Sequence, residues 1–309
     1  MPTVKFGIGL PNGFPRSEVN STEYLEVATK AEEYGYDSVW GGDHIVFHIP
    51  RFEIFTTLAA VIARTQRIIV GPAVLLLPLR NPVHVAQAVT TLDHISNGRF
   101  VLGVGVGGEH PKEFMASGVP VNQRGPRTNE ALAVLQRLWT GEKVAFAGKY
   151  YQFDDIAMLP TPLQKPHPPI WIGGRSEAAL RRTVKYGQAW APAFVTPERF
   201  LQGKERLAEL CREAGRDPQE VQPTVYCFAN VGTSREAAWT EAGEFLSSNY
   251  NMAAGPFQRL AIHGTAEECI AHMRRFIAAG AEHIVIRFAS GQPLQQLERW
   301  TKEVLPGLR

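Results

Sequence analysis

Short apolar runs alternate with amphipathic stretches along most of the chain. Residues 4–10 are apolar and close on Pro11-Asn12-Gly13, which predicts a buried strand and a turn. Ser21-Thr22-Glu23 opens a helical pattern that runs to Tyr34-Gly35, with Gly35 in the position of a C-terminal cap. A second strand over 37–40 leads into Gly41-Gly42-Asp43-His44, and a helix follows over 54–65. The third strand, 68–76, carries Pro72 inside it; the missing amide donor implies a bulge or a strand end there. Asn81-Pro82 starts a third helix. Residues 99–106 are almost continuously apolar, as in a parallel strand buried on both faces. Gly103, Gly105, Gly107 and Gly108 leave the backbone bare at its far end, where a ligand can come close.

Beyond that strand the pattern loosens. Residues 109–126 read as a loop, 127–139 as a helix, 144–154 as a small hairpin around Gly148, and the proline-rich 161–169 as an extended connector. Strands at 170–174, 189–194, 224–231 and 283–288 then alternate with helices at 177–186, 198–214, 235–250 and 266–279, with an extra segment at 253–262. Strand–helix alternation of this kind implies a parallel sheet. About eight units in 309 residues predict an α/β fold: one closed (β/α)8 TIM barrel spanning 1–309, with insertions after the fourth and seventh strands. A doubly wound sheet is the runner-up.

Composition narrows the function classes. The net charge of +2 is too balanced to point to nucleic acid or a membrane surface. No apolar run approaches the length of a membrane span, and residues 1–11 lack a signal-peptide core. Cys211, Cys227 and Cys269 are odd in number and far apart, as expected of reduced thiols in a cytoplasmic protein.

A barrel places its site at the C-terminal strand ends. There the chain offers Pro11-Asn12-Gly13, Gly42-Asp43-His44, Leu77-Pro78, residues 105–108, Gly173-Gly174-Arg175, Ala191-Pro192 and Arg287. The glycines at 103–108 do not follow the first strand or run straight into a helix, so they are not a dinucleotide fingerprint. Gly173-Gly174-Arg175-Ser176 joins a strand to a helix, a turn that can hold a phosphate or simply cap the helix. A histidine such as His44 can give or take a proton near neutral pH; the alternative is a capping Asp43 beside a structural His44. His44 and His48 have the spacing of a zinc pair, but Pro50 and a loop context argue against a helix, and no metal site is expected. Trp139, Trp171 and Trp190 read as packing or pocket walls, and no G-x-S-x-G elbow is present.

Together these stretches resemble the luciferase-like flavin- and deazaflavin-dependent oxidoreductases, and within them the F420-dependent subgroup. The resemblance rests on YGYDSVWGGDH (34–44), RNPVHVAQAVTTLDHISNGRFVLGVGVGG (80–108), RGPRTNEALAVLQRLWTG (124–141) with GKYYQF (148–153), and PTPLQKPHPPIWIGGRSEAALRRTVKYGQAWAP (160–192). HGTAEECIAHMRRFIAAGAEHIVIRF (263–288) is a weaker echo. It implies a barrel holding F420, or alternatively FMN, at its mouth and passing a hydride to or from a small organic substrate. It also implies a homodimer, and a separate reductase or dehydrogenase supplying reduced cofactor.

Carried onto these positions, the resemblance makes His44, with Asp43 holding it, the proton donor or acceptor. It puts Ala73-Val74 at a bulge with a non-proline cis peptide behind the ring, Val106-Gly107 against ring and ribityl chain, and Gly173-Gly174 with Arg175 on the phosphate. Some F420 enzymes carry Thr-Gly-Glu after the fourth strand. This chain has Val106-Gly107-Gly108-Glu109, with the acid shifted by one residue and Gly108 where relatives often have Trp. Arg80, Glu109, Arg127 and Tyr150 are expected at the pocket mouth. Two other readings stay open: an FMN-dependent monooxygenase using O2, and a flavin-binding protein without turnover.

Overall fold

The computed structural model describes residues 4–14, 19–20 and 22–309; Ser21, expected to open the first helix, lies outside them. The chain begins with β1 (Lys5–Gly9), α1 (Glu23–Glu33), β2 (Ser38–Gly41), α2 (Ile54–Arg64), β3 (Ile69–Pro72), β4 (Leu75–Leu76), α3 (Pro82–Ile95) and β5 (Leu102–Gly105). An excursion follows: α4 (Pro111–Ala116), α5 (Arg124–Leu138) and the antiparallel hairpin β6 (Val144–Ala147) and β7 (Gln152–Ile156). The alternation resumes with β8 (Ile170–Gly173), α6 (Glu177–Tyr186), β9 (Ala189–Ala191), α7 (Pro197–Glu213), β10 (Gln222–Val231), α8 (Arg235–Tyr250), β11 (Ile262–Gly264), α9 (Ala266–Ala278), β12 (His283–Phe288) and α10 (Pro293–Glu303).

Every pairing around the main sheet is parallel, and the sheet closes: β12 pairs with β1 at one seam. At the other, β3 and β4 are two halves of one stave. β3 pairs with β2, β4 pairs with β5, and a bridge from Val70 to Phe100 ties the halves to the same neighbour. The result is an eight-stave barrel, not the doubly wound sheet. The stave breaks after Pro72, where no ladder donor is available, and Ala73-Val74 is a cis peptide.

Local signals set the helix ends. Asn81 accepts from the Val83 amide with Pro82 in the first turn, and Thr265 and Glu268 form a capping box before α9. Gly35, with φ of 75°, ends α1. The main core lies between barrel and helices, with Val27, Leu58, Val85, Leu132 and Phe276 buried. A second cluster fills the lower barrel interior, where Trp40 stacks on Trp171 with centroids 4.2 Å apart over Val101, Ala189 and Val285.

Three expectations change. The loop over 109–126 contains α4, and α5 starts earlier, at Arg124; six residues are too few to show a helical period. The segment 253–262 resolves into a short turn of 3-10 helix at Gly255–Phe257 and the start of β11, which extends the sheet beside β10. The amphipathic α10, which buries Leu297 and Trp300, follows the last stave and packs outside the barrel against β10, β12 and α1.

Candidate active site

A cavity of about 310 Å³ opens above the Trp40–Trp171 stack, at the C-terminal ends of the staves. Its shelf is Val74. Ala73 and Val74 both line the space, and the flanking strands carry glycine where Val74 needs room. A Cβ at Gly105 would overlap the Val74 Cγ2 methyl, and one at Gly173 would lie 2.9 Å from its Cγ1. Gly103 has another reason: a Cβ there would overlap the Pro72 carbonyl, so its bareness serves strand contact rather than a ligand.

His44 lines the cavity just after β2. Its Nδ1 lies 3.2 Å from both carboxylate oxygens of Glu113, a fully buried residue of α4 that also accepts from the Ile45 amide at 3.3 Å. Phe47 stacks on a face of the imidazole with centroids 3.8 Å apart. Nδ1 is thereby held as a donor, which leaves Nε2 to exchange a proton. Exposed Glu109 comes within 3.8 Å of Nε2.

The partner of His44 is therefore Glu113, not Asp43. Asp43 is 4% exposed and turns the other way, making a bidentate pair with Arg80 at 2.6 and 2.9 Å and accepting the Leu76 amide at 2.8 Å. It still lines the cavity, but its carboxylate is committed to holding the loop after β2 against the broken stave. No sequence signal marked Glu113, because α4, only six residues long, had no period to read.

Other expected residues divide. Val106, Gly107, Gly173, Gly174 and Arg175 line the cavity, as does Glu109. Gly174 has φ of 108°, a conformation that requires glycine, and its carbonyl accepts from the Trp190 indole at 2.8 Å. Ser176 caps α6 by accepting from the Ala179 amide. Arg175 donates to the Phe194 carbonyl at 2.5 Å rather than standing free over the turn. Gly108, with φ of 121°, sits beyond the cavity against the Arg124 side chain. Arg80, Arg127 and Tyr150 are not at the cavity: Arg80 serves Asp43, and Arg127 packs over the Tyr150 ring at 4.7 Å between α5 and the hairpin. His48 is in an irregular loop with its ring 4.4 Å from that of His110. Among the described residues no three metal-ligating groups converge.

The far wall was largely missed from sequence. Arg51, Asn249, Tyr226 and Tyr250 join Arg287 there. Burial pushes both guanidiniums below, and both phenols above, their ordinary values. Asn12 ties the first two strand ends together by giving to the Gly42 carbonyl and accepting its amide.

The fold and this mouth define a (β/α)8 barrel whose site is a half-apolar cleft with one supported histidine. The model of the luciferase-like monooxygenase family matches residues 4–283, and the chain belongs to that family; it is an oxidoreductase. Similar proteins include the F420-dependent glucose-6-phosphate dehydrogenase of Nakamurella multipartita, 28% identical with 100% of this chain and 97% of the relative covered. The phthiodiolone/phenolphthiodiolone dimycocerosates ketoreductase of Mycobacterium kansasii is 30% identical over 65% of this chain and 61% of its own. Among solved structures, an F420-dependent secondary alcohol dehydrogenase has the same fold with a TM-score of 0.87 at 22% identity, covering 99% of both chains. No described helix is long and apolar enough to cross a membrane.

Proposed function

We propose that the protein is an F420-dependent oxidoreductase that moves a hydride between the deazaflavin and a small organic substrate, with His44 handling the proton. The observation that carries this is the His44–Glu113 pair set in the same cleft as the Val74 shelf. Full-length relatives named as F420-dependent dehydrogenases support it. The cradle fits a planar ring: Gly105 and Gly173 let Val74 form the shelf. The Gly173-Gly174 turn at the start of α6 suits a phosphate. Ala73, Val74, Val106 and Gly107 would hold the ring side, and Gly173, Gly174 and Arg175 the phosphorylated side. The bound deazaflavin supplies hydride chemistry.

The chain's own part is positioning and proton transfer. Glu113 accepts a hydrogen bond from the Nδ1–H of His44 and fixes the tautomer, so that Nε2 faces the reacting group as base or, once protonated, as acid. Glu109, next to Nε2, is placed to pass the proton on to solvent. Phe47 shields the ring face from water. The same reading takes 1–309 as one domain and carries a cytoplasmic homodimer served by a separate reductase or dehydrogenase.

Fluorescence titration of the purified protein with F420, and separately with FMN, tests the reading. F420 is expected to bind more tightly than about 100 μM, roughly −5.5 kcal/mol, and FMN at least about tenfold more weakly. His44→Ala should keep that affinity while losing roughly 10²–10⁴-fold in turnover. Preference for FMN, or no binding of either, would overturn it.

A further inference from the structure

Going round the barrel, the cradle occupies one arc: His44 after β2, Val74 between β3 and β4, Gly107 after β5 and Gly174 after β8. The opposite arc, formed by β10, β12 and β1, is basic. Arg287 on β12 is 8% exposed, lines the cavity and, among the described residues, has no ion pair; its Nη1 is buried without a hydrogen-bond partner. Arg51 reaches the same wall from the loop after β2 and is in the same condition at Nε, while its Nη2 donates to Asn249 at 3.3 Å.

Acidic groups nearby do not answer these charges. Asp43 is taken by Arg80, exposed Glu109 feels the Arg51 charge but lies beside His44 Nε2, and Glu23 at the start of α1 feels the Arg287 charge without pairing with it. Arg51 lies over the Phe47 ring and Arg287 over the Phe245 ring, but buried guanidiniums without an anionic partner are costly, and two of them repel. The barrel nonetheless makes room for Arg287. A Cβ at Gly9 would lie 2.9 Å from the Arg287 Cβ and 2.6 Å from the Tyr226 hydroxyl, so β1 is bare where both side chains cross it. An anion seated between the two guanidiniums would satisfy both at once.

We infer that this arc is an oxoanion subsite for the substrate: a compact carbonyl compound or alcohol bearing a carboxylate or phosphate group, gripped by Arg287 and Arg51 with its reacting carbon toward the cradle. The word substrate rests on the proposed function; the anion site does not. The cleft of about 310 Å³ must take ring and substrate together, which favours a small molecule.

The test is calorimetric titration of the full chain without cofactor, at low ionic strength, with inorganic phosphate and separately with acetate, into the millimolar range. At least one probe should show a component of unit stoichiometry, separate from any phosphate held at the Gly173-Gly174 turn, that Arg287→Met and Arg51→Met each weaken by about tenfold or more. Arg175→Ala should leave it unchanged, and F420 titration of the two methionine variants should stay within about threefold of the parent. Arg287→Met should also raise Tm, because it removes an unpartnered buried charge.

Which probe binds distinguishes carboxylate from phosphate substrates. Absence of binding by both probes overturns the subsite, as does binding that follows Arg175 rather than Arg287, which would place the anion at the turn before α6. A lower Tm for Arg287→Met also overturns it, since the arginine would then be answering a group of the protein itself. Failure to bind F420 with anion binding intact would sink the proposed function and leave the subsite standing.

Discussion

At the scale of single residues, the site depends on which carboxylate meets which cation. Glu113 is fully buried, and the groups that satisfy it are the His44 imidazole and the Ile45 amide. Replacing the acid with an amide keeps the shape but offers Nδ1 a group that can donate as well as accept, so the tautomer is no longer fixed. Glu113→Gln is therefore expected to leave F420 affinity unchanged and to lose a large part of the roughly 10²–10⁴-fold that a positioned acid or base contributes. A kcat within about twofold of the parent would assign Glu113 a packing role only. Sequence showed His44 and the glycines, whose residue types are tied to their chemistry. It did not show Glu113, one acid among many until α4 turns it toward β2.

At the scale of elements, the broken stave is the construction that matters. Pro72 ends β3, Val74 projects between two glycine positions, and β4 resumes one turn of chain later. Asp43 locks this arrangement from the neighbouring loop through Arg80 and the Leu76 amide, at 15% and 1% side-chain exposure for the ion pair. Removing Asp43 leaves Arg80 only the half-exposed Glu53, 3.6 Å away, and orphans the Leu76 amide. Asp43→Ala is expected to cost about 3–5 kcal/mol in urea unfolding, with F420 affinity falling as the shelf loosens. A loss under about 1 kcal/mol, the range of an exposed pair, would show that the lock is dispensable. The proline and the glycines of this device were legible as a bulge and as bare strand ends. The lock was not, since the sequence placed Asp43 beside His44 and neighbours in a chain need not face the same way.

For the whole molecule, closure joins the first and last staves at His283. The Trp40 indole donates to Ser38 Oγ at 2.7 Å, and Ser38 in turn sits 2.7 Å from His283 Nε2 beneath the tryptophan stack. Burial holds His283 down to about 3, far below the ordinary value of 6.5. The folded chain thus keeps the ring neutral while the unfolded chain protonates it. Its contribution is complete above pH 6.5 and is lost as pH falls from 6.5 toward 3. His272, held down to about 4 chiefly by burial, adds to the same window. Tm should therefore fall across that window, and His283→Gln should flatten the slope at some cost in Tm at pH 7; an unchanged slope would remove His283 from the account. What the sequence alone determined was the architecture: strands buried on both faces must be apolar throughout, helices packed on one face must be periodic, and tight strand ends need glycine, so the pattern of a barrel is written locally. What only tertiary structure decided was pairing across the mouth. His44 with Glu113, Asp43 with Arg80, and Arg51 with Arg287 are brought together by the paths of separate loops over a closed ring, and no local periodicity encodes where a loop ends its path.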